Sequence, residues 1–307
     1  MAEDKVGDIM GSSQSRRDRR STANREWRES EGKIRVYQTR ATERQNIQVW
    51  YRHSGQPEIE RIPPFLTYSS MYDERKILED VGDHHITHIS IMNGVIPALM
   101  TPSLKQLALR NVNSSQLECL SSLTGLEGLR IWISDFSAGL PPVIAELETL
   151  ESLILIDCQL RDLPQSLKSL KRLKELNLYG NNFSAGLPPV IGEIGTLESL
   201  SLGYCQLTDL PQSLSSLKRL KELNLDGNNF STGLPPVIGE IATLESLTLG
   251  DCQLRDLPQS LKSLKRLKKL TLDYNNFNAG LPPVISEIGT LESLSLWRCQ
   301  LRDLPQR

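Results

Sequence analysis

Residues 150–172 read Leu150-Glu-Ser-Leu153-Ile-Leu155-Ile-Asp-Cys158-Gln-Leu160-Arg-Asp-Leu163-Pro-Gln-Ser-Leu167-Lys-Ser-Leu170-Lys-Arg172. Residues 173–196 continue Leu173-Lys-Glu-Leu176-Asn-Leu178-Tyr-Gly-Asn181-Asn-Phe183-Ser-Ala-Gly-Leu187-Pro-Pro-Val190-Ile-Gly-Glu-Ile194-Gly-Thr196. Both halves fit one pattern, with apolar residues at positions 1, 4, 6 and 11 and Cys or Asn at position 9. The alternation at 4 and 6 predicts a short strand with Leu153 and Leu155 on one side and Ile154 on the other. Leu163, Leu167 and Leu170 then turn the chain back and fill the same interior. One such unit cannot cover its own leucines, whereas stacked units can, and each fully buried side chain contributes about 1.5–3 kcal/mol.

Working outward, this 47-residue unit recurs without gaps at 197–243 and 244–290, and the first two copies are identical at 39 of 47 positions. Residues 126–149 match the second half. Residues 104–125 and 86–103 are worn versions, and 291–307 begin another first half. The chain contains 51 leucines, of which 48 lie in 101–307, so the periodic region differs in kind from what precedes it. Three segments follow: a charged arm over 1–33, a small cap or degenerate segment over 34–85, and repeats over 86–307. The arm, with Arg16-Arg17-Asp18-Arg19-Arg20, carries too few apolar side chains to offset ordering entropy and reads as disordered. In the second segment, 34–38 and 47–51 alternate as two strands, and 71–81 fit a short helix.

At position 9, Asn181, Asn228 and Asn275 are suited to pair backbone groups of the neighbouring turn through both ends of the amide. Cys158, Cys205, Cys252 and Cys299 occupy the same rung in the other halves, with Ser134 in an early one. Two rungs separate successive cysteines, about 10 Å at strand spacing, which is beyond disulfide reach and too far for one zinc site. They read as structural, and Phe183, Phe230 and Phe277 read as interior. At position 2, Glu151, Lys174, Glu198, Lys221, Glu245, Lys268 and Glu292 alternate in sign and predict a charge ladder. Lys171-Arg172, Lys218-Arg219 and Lys265-Arg266 read as solvated pairs on the return side.

The repeat pattern, about nine times over, is the signature of the leucine-rich repeat. The first halves resemble the repeats of intracellular Ras-group scaffold proteins and of plant disease-resistance receptors. The second halves, with Asn-Asn-Phe-Ser-x-Gly-Leu-Pro-Pro-Val-Ile-Gly, are similar to the plant-type 24-residue repeat. The resemblance covers 86–307. It implies an α/β solenoid, a leucine-rich-repeat horseshoe with a parallel β-sheet on its concave face, preceded by the arm and a small α+β cap. It also implies protein binding on that face, without transferring a partner. No nucleotide-binding domain, kinase or C-terminal cap accompanies the repeats, which is consistent with a fragment of a larger product.

Composition and motifs narrow the function. With 35 Lys+Arg against 37 Asp+Glu, the chain has no electrostatic footprint for nucleic acid. No run approaches eighteen apolar residues, and the N-terminus does not resemble a secretory signal peptide, so a cytoplasmic location without membrane insertion is expected. There is no phosphate-cradling loop and no nucleophile elbow. His84, His85 and His88 cluster but flank a worn strand at Ile86, Ile89 and Ile91, and no cysteine is near them. No cofactor, metal or small-molecule substrate is expected. Asn113, Asn182 and Asn229 match the glycosylation pattern, which is without consequence inside the cell.

Comparison of the repeats with one another locates the informative surface. Positions 3, 5, 7 and 8 point from the strand face to solvent and make up 8 of the 47 positions in a unit. Nine of the 19 differences between successive units fall there, where chance gives about 3. Every Trp and Tyr after residue 100 stands at position 7 or 8. The partner-binding candidates are therefore Trp132, Ile156, Asp157, Tyr179, Tyr204, Asp226, Asp251, Asp273, Tyr274, Trp297 and Arg298. The reading is a non-enzymatic intracellular signalling scaffold that recognises a protein. The alternative is a fragment of a disease-resistance recognition receptor lacking its nucleotide-binding or signalling domain. A third reading, an enzyme with its site in 34–85, finds no convincing nucleophile there.

Overall fold

The computed structural model describes the backbone of residues 48–53 and 86–92, and residues 104–301 in full. The expectations for the arm, the helix at 71–81, the strand at 34–38 and the side chains of the histidine cluster lie outside the described residues. Eleven strands form one sheet in chain order. They are β1 (Gln48–His53), β2 (Ile86–Met92), β3 (Gln106–Arg110), β4 (Gly128–Trp132), β5 (Ser152–Ile156) and β6 (Glu175–Asn177). After them come β7 (Ser199–Ser201), β8 (Glu222–Asn224), β9 (Ser246–Thr248), β10 (Lys269–Thr271) and β11 (Ser293–Ser295). β1 pairs antiparallel with β2, and every later neighbour is parallel. The worn strand read at Ile86 is β2, and the second of the two strands expected in the preceding segment is β1.

The register is rigid because like positions pair: Leu176 with Leu200, Leu200 with Leu223, Leu223 with Leu247. This stacks the leucines into a single continuous core that runs from Leu104 to Cys299. Phe136, Phe183, Phe230 and Phe277 form an aromatic row within it, fully buried. Leu163, Leu167 and Leu170 return to this interior as their spacing predicts.

The return limbs are mostly 3-10 turns. Gln165–Ser169, Pro189–Glu193, Gln212–Ser216, Pro236–Glu240 and Gln259–Ser263 are five residues each, and among the described residues only Val284–Glu287 forms a single turn of α-helix. A limb this short satisfies more of its backbone with i→i+3 bonds than with i→i+4 bonds. Proline at the N-terminal end, as at Pro189 and Pro236, removes a donor that would have no partner there. The longest turn, Ser114–Ser122, is started by a reciprocal cap. Asn113 Oδ1 accepts from the Gln116 amide at 3.1 Å, and the Asn113 amide donates to Gln116 Oε1 at 2.8 Å.

Position 9 satisfies the turn that follows each strand. Asn228 Oδ1 accepts from the amides of Cys205 (3.1 Å) and Leu207 (2.9 Å), while its Nδ2 donates to the carbonyls of Leu202 (2.8 Å) and Leu225 (2.7 Å). Asn181 and Asn275 repeat this arrangement. The cysteines take a lesser share: Cys205 Sγ donates to Leu178 O at 3.2 Å and Cys252 Sγ to Leu225 O at 3.2 Å. Ser134 fills the rung as expected, accepting from the Val112 amide at 3.1 Å and donating to Trp132 O at 3.2 Å.

Position 2 closes in twos. Glu151 meets Lys174 at 2.7 Å, Glu198 meets Lys221 at 2.6 Å, and Glu245 meets Lys268 at 3.3 Å. No ion pair joins Lys174 to Glu198 or Lys221 to Glu245 among the described residues, so the expected ladder is a series of separate pairs. Between the pairs the attraction acts only at longer range, with Lys174 contributing to the lowering of the Glu198 carboxyl after its own partner Lys221.

Candidate functional site

The candidate face begins where each strand ends. The ladder continues past position 6: Tyr204 N donates to Asp226 O at 2.7 Å, Asp251 N to Asp273 O at 2.8 Å, and Tyr274 N to Trp297 O at 2.8 Å. At position 8 the backbone enters the left-handed region in every rung from β3 to β11. The residues are Asn111, Ile133, Asp157, Gly180, Tyr204, Gly227, Asp251, Tyr274 and Arg298, with φ between 50° and 72°. This turn brings position 9 inward, where Asn and Cys do their pairing. Left-handed backbone costs a residue with a Cβ roughly 1–2 kcal/mol, yet seven of these nine positions are not glycine. Two of them are tyrosine and one is the β-branched Ile133.

Position 8 is consequently the outermost part of the face. Tyr204 and Tyr274 are each 48% exposed, Ile133 is 50% exposed and Trp297, at position 7, is 56% exposed. Asp157, Asp251 and Arg298 are exposed, while Trp132, Ile156, Tyr179, Asp226 and Asp273 are half-buried. None of the eleven candidates is buried. Ile154 corrects the reading of position 5 as open to solvent: it is only 8% exposed. Its register partners Arg130 and Asn177 lie one strand to either side, so side chains at position 5 shelter one another.

Along the middle of the face, each side chain leans over the glycine of the next rung. A Cβ at Gly227 would meet the Tyr204 ring at 2.6 Å, and one at Gly203 would meet the Tyr179 ring at 3.0 Å. A Cβ at Gly180 would collide with the Asp157 carboxylate. Asp226 Oδ1 accepts from the Gly250 amide at 2.6 Å. Large residue and glycine alternate between positions 7 and 8: Tyr179-Gly180, Gly203-Tyr204, Asp226-Gly227, Gly250-Asp251. The glycine leaves room for the large side chain of the preceding rung to lie down along the face. The signal for this arrangement in the sequence is the glycines interleaved with the variable residues at positions 7 and 8, and Ile133 joins the eleven candidates as an exposed residue of the same face.

Two aromatic groups result. Tyr179 and Tyr204 have ring centroids 5.3 Å apart. Tyr274 and Trp297 meet edge to face at 4.8 Å, and the Arg298 guanidinium stands 4.5 Å from the Trp297 centroid and 5.7 Å from that of Tyr274. Between them lie Asp226, Asp251 and Asp273 on three consecutive rungs. Burial, with a smaller contribution from Asp273, raises the Asp226 carboxyl above its ordinary range, against the lowering effect of the Gly250 amide. Asp273 Oδ1 accepts from Ser295 Oγ at 2.6 Å and from the Trp297 amide at 2.8 Å, which orients the tryptophan. The Tyr179 phenol is raised by burial first and then by its neighbours Tyr204, Asp157 and Asp226.

The thiols offer no second site. Burial pushes Cys158, Cys205 and Cys252 up to about 12, so a thiolate nucleophile is not accessible there near neutrality. Among the described residues, no group of three or more His, Cys, Asp or Glu side chains is placed to hold a metal ion. No helix among them is long and apolar enough to cross a membrane.

Models of the Leucine Rich Repeat match residues 172–194 and, as two copies, residues 196–239. No curated protein sequence matches the chain. Among solved structures, it is similar to a leucine-rich-repeat protein of Leptospira interrogans, at 25% identity and a TM-score of 0.60, over 71% of this chain and 56% of that one. TLR13, solved in a complex with ssRNA13, is similar at 28% identity and a TM-score of 0.54, over 64% of this chain and 28% of that one. An internalin of Listeria monocytogenes shares the fold at 20% identity and a TM-score of 0.50, over 67% of this chain and 66% of that one. The chain thus spans little more than half the length of the Leptospira protein and under a third of TLR13.

Proposed function

We propose that this chain, a leucine-rich-repeat protein, is a non-enzymatic interaction module that takes a protein ligand across its sheet face. The observation that carries this reading is the placement of Tyr204, Tyr274 and Trp297. All three are about half exposed, on the face where successive and otherwise nearly identical 47-residue units vary, and the two tyrosines stand on left-handed backbone that glycine would adopt at less cost. Aromatic side chains with a large contact area and few rotatable bonds are what interface centres concentrate. A face retained for stability alone would carry glycine at position 8 throughout, as it does at Gly180 and Gly227.

A protein ligand fits this face better than a nucleic acid. TLR13 is named with an RNA, but from β4 to β11 positions 7 and 8 hold four aspartates against the single Arg298. Phosphate binding calls for the opposite sign. The finer reading is an intracellular signalling scaffold in the cytoplasm, with the concave side as its recognition surface and the repeats forming a domain over 86–307. The second reading, a recognition unit of a disease-resistance receptor, rests on the resemblance of the repeats. It requires a nucleotide-binding or signalling domain encoded in the same transcript.

The test is capture of cellular proteins by the full chain and by a Tyr204→Ala/Tyr274→Ala/Trp297→Ala variant. The expected result is a set of partners retained by the first and lost by the second, with circular dichroism unchanged. An identical set from both proteins overturns the reading.

A further inference from the structure

The face carries more than an apolar strip, and its electrostatics point to one class of occupant. Among the described residues, the six ion pairs all lie off positions 7 and 8, in contacts such as Lys105 with Glu127 and Lys168 with Glu193. Asp226, Asp251 and Asp273 have no lysine or arginine in ion-pair contact, although they follow one another on adjacent rungs only about 4.8 Å apart. Asp226 and Asp273 are half-buried and spend one oxygen each on backbone amides, Gly250 and Trp297 respectively. Among the described residues, Arg298 is the single cation at positions 7 and 8 from β4 to β11, and its guanidinium is seated on the rings of Trp297 and Tyr274 without an ion pair to any of the three carboxylates.

The shape agrees with the charge. The Tyr204 ring lies over Gly227, and Asp226 lies against Gly250. The strands that carry Tyr204 and Tyr274 are three rungs apart, roughly 14 Å at strand spacing, and the Tyr204 ring takes up the first of these rungs. The stretch over β9–β10 that remains between the aromatic groups is where a long side chain of an extended peptide would lie. The aromatic groups present π faces, which attract cations, and Arg298 already shows a guanidinium seated on one of them.

Building on the proposed binding of a protein across this face, we infer that the bound segment is an extended, basic stretch of polypeptide. It places a lysine or arginine between Tyr204 and Tyr274, opposite Asp226, Asp251 and Asp273. The basic side chain supplies the charge that the three carboxylates lack, and the flanking aromatics hold its aliphatic stem and the adjoining backbone. The occupant is a separate protein rather than a second copy of this chain, because the facing surface of a second copy would present the same aspartates.

The test is selection of random dodecapeptides displayed on phage against the full chain, followed by titration of the enriched peptides in solution. The expected result is a lysine or arginine fixed at one position of the enriched peptides. Their affinity should fall roughly tenfold or more in an Asp226→Asn/Asp251→Asn/Asp273→Asn variant and weaken with added salt. Acidic or purely apolar peptides, a basic position indifferent to the triple substitution, or no enrichment would overturn the inference. Equal competition by a synthetic peptide of residues 11–28, which holds the chain's own arginine run, would reassign the occupant to this chain and likewise overturn it. The Tyr204→Ala/Tyr274→Ala/Trp297→Ala variant keeps the two readings apart. Peptides that lose affinity to it but lack a basic residue refute the basic occupant alone, whereas peptides that bind it undiminished refute the face itself.

Discussion

Positions 8 and 9 of each repeat are neighbours in sequence and opposites in physics. Position 9 turns into the solenoid, where Asn181, Asn228 and Asn275 each satisfy four backbone groups, and it is filled by Asn, Cys or Ser in every rung from β4 onward. Position 8 turns outward through the left-handed region and carries Ile, Asp, Gly, Tyr and Arg in the same stack. Position 9 admits few residues because an error there leaves buried donors unpaired. Position 8 carries a backbone cost for almost any residue, and the chain accepts that cost repeatedly with large side chains. Scaffold and surface are thus specified by adjacent residues under unrelated constraints.

The comparison breaks first, and most severely, in the interior. Phe230→Ala empties a fully buried ring site and is expected to destabilise the protein by about 3–5 kcal/mol, read as a lower urea midpoint. Asn228→Ala should come next. It strands the amides of Cys205 and Leu207 and the carbonyl of Leu202, and leaves the Leu225 carbonyl with only the weak Cys252 thiol donor, at a cost of about 3 kcal/mol from several unpaired buried groups. A loss below 1 kcal/mol would mean that water or a shifted turn replaces the amide.

At position 8 the sign reverses. Ile133→Gly relieves a β-branched residue of left-handed backbone, roughly 1–2 kcal/mol, and gives up about half of an isoleucine's burial, roughly 1 kcal/mol, since the side chain is half exposed. The net expectation is a gain of under about 1 kcal/mol, seen as a slight rise in Tm. A fall in Tm would show that Ile133 packs more than it strains.

The smallest effect is electrostatic. Asp226 has a raised folded-state carboxyl, so its charged form opposes folding. That side chain's share of stability is greatest below its unfolded value and is lost as pH rises through the raised folded value. Asp226→Asn should therefore stabilise the protein near neutrality, with the gain vanishing as pH falls through the carboxylate range. Urea unfolding of both proteins from pH 7 down to pH 3 measures it, and a pH-independent difference would contradict the assignment.

Much of this was legible in the chain itself. Leu153 and Leu155 announce a strand, Asn181 and Cys158 announce an inward rung, and the copying of the repeats with variation at positions 7 and 8 announces a face. What was not legible depended on neighbours 23 or 24 residues away. Ile154 looks solvent-facing by alternation but is sheltered by Arg130 and Asn177 in adjacent strands. The position-2 charges read as a ladder but close as pairs. The return limbs give no sequence signal that separates 3-10 from α, because five residues are too few for a period to show.

The sequence alone determined the repeat, its length, the inward and outward positions and the row of buried phenylalanines, because a periodic apolar pattern has one economical way to bury itself. The tertiary structure decided how the outward residues meet. Only stacking brings Tyr204 over Gly227, sets Asp226 against Gly250 and turns Trp297 against Tyr274. Those contacts join side chains from different turns of the solenoid, whose distance is fixed by strand spacing and register rather than by separation along the chain.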